Sequence, residues 1–171
     1  LCVVLMIGLV VATTLGRRAN ALLTEWQRLA DRTRLAELVR EADDSLWPAV
    51  PTMANAMQDW LLRAAPLAER LPAHREALAL LQGDGAGSEP AAERVWRRDQ
   101  LEQLVRSLEA FTADDPFATT IRSVRRRLAC AQDIERLTVH DPAAAWAAAS
   151  ARVAASPPYH GLALRPQLGL V

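Results

Sequence analysis

Residues 1–15 carry no charge, and nine of them are Leu, Ile or Val. On the insertion scale those nine side chains alone favour lipid by about 3–5 kcal/mol. Fifteen helical residues reach only about 22 Å, against a hydrocarbon layer of about 30 Å. The chain opens at Leu1 without a charged leader, so residues 1–16 read as the C-terminal part of a transmembrane helix that starts upstream. Arg17 and Arg18 end the run as interfacial residues do. Three other readings compete: a secretory signal peptide, disfavoured by its poor cleavage context; a buried helix of a soluble protein; and a Val-rich edge strand. By the positive-inside rule Arg17 and Arg18 would hold the downstream chain in the cytoplasm.

Helix formers dominate the next stretch. From Arg17 to Asp43 there is neither Gly nor Pro, so a juxtamembrane helix over 17–44 should continue the apolar one as a rod. Leu22, Trp26 and Leu29 are spaced 4 and 3, and Leu35, Leu38 and Ala42 repeat that spacing after a shifted interval. A stutter in a coiled-coil-like stripe would produce this phase break. Pro48 and Pro51 make a turn, after which residues 45–155 read as a helical bundle.

Its expected helices cover 51–82, 91–112, 116–137 and 142–155, with a flexible linker over 83–90. Pro66 and Pro72 should kink or divide the first. Leu101, Leu104, Leu108 and Phe111 give 3-4-3 spacing in the second. Asp115 as N-cap and Pro116 at the first position should start the third, with Phe117 and Ile121 opening its stripe. Asp141-Pro142 repeats that signal before an Ala-rich helix carrying Trp146. Residues 156–171, broken by Pro157, Pro158, Gly161, Pro166 and Gly169, read as an extended tail entering a further domain. The fold class expected is all-α: a transmembrane helix running into an antiparallel helical bundle or coiled-coil-like stalk.

Composition agrees and excludes some functions. Ala (33) and Leu (26) make up about a third of the 171 residues, and aromatics only 5%. All 20 cations are Arg, matched by 20 Asp and Glu. With no net positive charge, a strongly basic nucleic-acid binder is excluded. Cys2 and Cys130 imply no disulfide framework and read as small buried residues.

No constellation carries chemistry. His74, His140 and His160 lack ligand spacing, no nucleophile elbow surrounds any Ser, and Gly83, Gly85 and Gly87 lack the Lys of a phosphate loop. Arg122, Arg125, Arg126 and Arg127 could grip lipid headgroups or an acidic partner, but flank Val124 and Leu128 as a solvated face would. The five Trp fall on or near apolar stripes. Trp26 and Trp47 could be interface anchors, although core packing is the more economical reading. No catalytic, cofactor-binding or metal-ligating residue is assigned.

Several segments taken together resemble a known family. Leu46-Trp47-Pro48, then Met57-x-x-Trp60-Leu61, then Arg70-Leu71-Pro72-x-His74-Arg75-x-x-Leu78 look like a helical region of large bacterial proteins. The ending Tyr159-x-Gly161-Leu162-x-Leu164-x-Pro166-Gln167-x-Gly169-Leu170-Val171 resembles the strand entry to their next module. In that family a cytoplasmic serine/threonine protein kinase precedes a membrane helix, a helical spacer, and a domain similar to formylglycine-generating sulfatase-modifying enzymes.

The resemblance implies a non-catalytic spacer, with ATP and Mg needed only in the kinase outside this segment. The partners it implies are the bilayer, the flanking domains and a second copy in a homodimer. It also implies a single-pass protein with residues after 18 outside the cytoplasm, against the Arg17/Arg18 rule. The alternatives are a sensory bundle that binds a ligand or protein, and a soluble helical scaffold.

Overall fold

The computed structural model describes residues 23–83, 90–115, 117–159 and 161–170 in full, and the backbone alone of residues 2–22. Among the described residues every regular element is helical. α1 is one unbroken helix, Cys2–Ser45. α2 (Ala54–Ala68), α3 (Leu71–Gly83), α4 (Ala91–Thr112), α5 (Ile121–Glu135) and α6 (Ala143–Ala155) come after it. A 3-10 turn, Pro51–Met53, precedes α2, and a single π turn, Arg136–His140, extends α5. Pro66 lies inside α2 near its end, and α2 and α3 are separate helices, as Pro66 and Pro72 lead one to expect.

Two compact units divide the chain. The first comprises Leu1–Val39 and Pro66–Phe111. Its core is built from Leu35 and Leu38 of α1, Leu67 of α2, Leu71 and His74 of α3, and Leu101, Leu104, Val105, Leu108 and Phe111 of α4. Polar contacts tie its helices in pairs. Glu25 meets Arg97 Nε at 3.0 Å, while Arg32 donates to Gln100 and, at 2.9 Å, to Gln103. Residue numbers rise together across those pairs, so α1 and α4 run in the same direction there. Arg75 joins α3 to Glu109 of α4 at 2.8 Å.

The second unit comprises Arg40–Ala65 and Thr112–Val171. Ala42, Leu46, Met57, Trp60, Ala64, Ile121, Val124 and Ala131 form its core. The 3-10 turn packs against α5. Thr138, in the π turn, is a junction. Its hydroxyl donates to Ile134 O at 2.6 Å and accepts from Gly169 N at 3.1 Å, while its carbonyl accepts from Trp146 Nε1 at 2.8 Å. Beyond the 3-10 turn Pro157–Tyr159 no regular element occurs among the described residues.

Three expectations need correction. α5 starts at Ile121, not at 116: Thr120 is the N-cap, and its Oγ1 accepts from Ser123 N (3.0 Å) while Ser123 Oγ accepts from Thr120 N (2.9 Å). This reciprocal box satisfies two donors at once in a buried setting, which a lone Asp at 115 cannot match. Asp115 instead accepts from Phe117 N and Ala118 N in the preceding loop, and Phe117 is 98% exposed. Pro116 lies outside the described residues.

The expected Trp burial holds at Trp60, which is fully buried, and fails at Trp26, Trp47 and Trp96, which are all more than half exposed. Cys130 is exposed and free rather than buried. Cys2, Leu22 and the apolar run of residues 1–15 have side chains outside the described set. Among the described residues no helix is long and apolar enough to cross a membrane.

Candidate functional site

The first unit holds the least ordinary chemistry. Counting back from Ala42, Leu38 and Leu35 by one more turn reaches Asp31, which is 2% exposed. The buried stripe of α1 runs in one phase over Asp31, Leu35, Leu38 and Ala42, with a carboxylate at its first position, while Trp26 and Leu29 are exposed and lie off it. A buried carboxylate persists only when its oxygens are satisfied. His74 Nε2 donates to Oδ2 at 3.0 Å, and Arg70 donates to Oδ1. Both partners come from the start of α3: Arg70 just precedes it, and Leu71 and His74 share its buried face. Beside this cluster lies a recess of about 290 Å³ lined by Thr24, Gln27, Arg28, Asp31, His74 and Ala77 among others.

A larger cleft of about 340 Å³ opens between α1 and α4. Trp26, Leu29, Trp96, Leu101 and Leu104 form its apolar lining, and three arginines (Arg28, Arg32, Arg97) line it with one carboxylate, Glu25. Arg97 is engaged by Glu25 and Arg32 by two glutamines. Arg28, shared by both recesses, has its Nε buried with no hydrogen-bond partner among the described residues. Burial lowers the Arg28 pKa; Glu25 opposes the shift and neighbouring Arg97 adds to it.

The Arg cluster of α5 is dispersed by the fold. Arg122 and Arg126 both reach Asp114, at 2.9 and 2.8 Å, and hold its carboxyl below the usual range. Arg127 donates to Ala42 O at 3.0 Å and lies 4.5 Å from the Trp47 ring centroid, a cation–π contact. Arg125 is exposed. His140 stands 3.6 Å from Glu135, and His160 lies outside the described residues. Among the described residues no group of three His, Cys, Asp or Glu side chains could hold a metal ion.

Sequence reasoning missed Asp31, Arg28, Trp96 and Arg97. A signal existed for Asp31 alone, the phase break itself, because the residue one turn before Leu35 is charged. Compared with family models, curated proteins and solved structures, the chain matches none.

Proposed function

We propose that this chain is a non-catalytic, membrane-anchored helical spacer that couples a cytoplasmic serine/threonine protein kinase to a C-terminal outer domain of the same polypeptide. One observation carries the reading. α1 runs without a break for 44 residues, about 66 Å, from the uncharged stretch at its start to the buried positions Leu35, Leu38 and Ala42. A stiff helix passes on rotation or translation that a jointed one would absorb. The Asp31–His74–Arg70 cluster supports the same role, since a polar group at a stripe position favours one register over its neighbours.

We read the first unit as an antiparallel bundle, in which α1 and α4 are the first and third arms of an up-down-up path and so share a direction. The bilayer is the partner of residues 1–16, and the flanking kinase and outer domains are partners in the same chain. The family resemblance of the Leu46–Leu78 and Tyr159–Val171 segments is what supplies the kinase and the sulfatase-modifying-like domain. It also implies that the residues after 18 lie outside the cytoplasm.

The test uses the full-length polypeptide. Alkaline carbonate should leave it in the membrane pellet. Leu23→Gly with Ala30→Gly, at two exposed positions of α1, should cost about 1 kcal/mol each in helix propensity. Both ends should remain folded while kinase output ceases to follow the outer domain. Release by carbonate, or output that still follows, refutes the proposal.

A further inference from the structure

We propose that the cleft between α1 and α4 binds a small aromatic monoanion, its ring held among Trp26, Trp96 and Leu29 and its carboxylate on Arg28. The inference is independent of the coupling role. Three observations carry it. The cleft volume of about 340 Å³ falls at the small end of the range for ligand pockets, about 300–1,000 Å³. Two tryptophans stand in its lining although both are more than 60% exposed, and neither has been drawn into the core. Large aromatic faces left open in a recess are the stacking surfaces that planar ligands use.

Charge then selects the ligand's sign. Three arginines line the cleft with one carboxylate, and that carboxylate is already committed to Arg97. Arg32 is committed to Gln100 and Gln103. Arg28 is half-buried, and its Nε–H, closed off from solvent, has no acceptor among the described residues. A ligand carboxylate beside the Arg28 guanidinium opposes the excess positive charge. A cation would meet that excess charge, and a neutral ring would leave it unopposed. A second copy of this chain would have to insert an aspartate or glutamate beside an aromatic ring into a recess this small, and the oligomeric state reports on that outcome.

Isothermal titration of the complete chain with 1-naphthoate, 1-naphthamide and octanoate tests the proposal. 1-Naphthoate should bind saturably with Kd below about 1 mM. The amide and octanoate should each bind at least about tenfold more weakly, a difference of about 1.4 kcal/mol. Arg28→Gln should lower naphthoate affinity by a similar factor, while Arg75→Gln, away from the cleft, should leave it unchanged. Should Arg28→Gln fail to fold, the comparison of acid with amide on the unaltered chain decides alone. No saturable naphthoate binding, equal binding of amide and acid, equal binding of octanoate, or a dimer that occludes the cleft would each overturn the assignment.

Discussion

Asp31→Ala removes the carboxylate from the stripe of α1 and leaves its two partners unequally exposed. His74 has a side chain only 10% accessible and loses the acceptor for Nε2, which costs about 1–3 kcal/mol. Arg70 is 53% accessible, so its guanidinium turns to water and its share is that of a surface pair, about 0–1 kcal/mol. Relief of the carboxylate's own desolvation offsets part of this, and a net loss of about 2 kcal/mol is expected.

The double variant Asp31→Leu with His74→Leu behaves differently. It makes the stripe at 31, 35, 38 and 42 wholly apolar and leaves no unmet buried group from the pair. Buried ion pairs exchanged for packed hydrophobes are typically neutral or stabilising by about 1–4 kcal/mol. Urea unfolding followed by far-ultraviolet circular dichroism should show a lower midpoint for Asp31→Ala at unchanged slope, and for the double variant a midpoint at or above that of the parent. In a thermal scan about 2 kcal/mol corresponds to about 4–8 °C for a chain of this size. The reasoning is refuted if Asp31→Ala costs less than about 0.5 kcal/mol, or if the double variant is less stable than Asp31→Ala.

Three further outcomes are expected. Thr120→Ala should destabilise by about 1–2 kcal/mol because the Ser123 amide loses its cap, and Thr120→Ser should restore most of that in chemical unfolding. Trp60→Ala should cost about 3–5 kcal/mol while Phe117→Ser stays within about 0.5 kcal/mol, and comparing the two unfolding midpoints tests the burial pattern directly. Acid should weaken the fold in a defined sense. The Arg63 hydrogen bond holds the Glu41 carboxyl below its ordinary value of 4.5, and Arg126 and Arg122 do the same for Asp114. A folded value below the unfolded one gives stability that is present above the ordinary carboxylate range and lost as pH falls through the folded values. Both partners of the Glu41 pair are more than a third exposed, so it contributes less than about 1 kcal/mol. Arg63→Gln should flatten that part of the loss in midpoints measured from neutral pH down to about pH 3.

How far the fold was legible depends on what fixed each element. Helix formers without Gly or Pro from Arg17 to Asp43 set the continuity of that part of α1, and Pro66 and Pro72 the division of α2 from α3, because these are local chain effects. The start of α5 was misplaced because Asp115-Pro116 carries a familiar start signal. The box at Thr120 and Ser123 also gains from burial, which only tertiary packing supplies. Trp26 looked like a core residue by spacing alone. Which side of a stripe is covered depends on its partner helix, and Arg32, Glu25 and the α4 residues that meet them are some 70 positions apart. The candidate cleft was illegible for the same reason, since no local pattern pairs Arg28 with Trp96.

The π turn at Arg136–His140 has a consequence for whatever pulls on the C-terminal end. A turn of this kind accommodates one residue more than the surrounding spiral, and Thr138 within it is stapled to the tail through Gly169. Were tension on the tail to strip that staple and the turn to tighten to ordinary α geometry, every later position would advance by about 100° around the axis. Trp146 would swing off its carbonyl, so a straight tug would emerge as a twist.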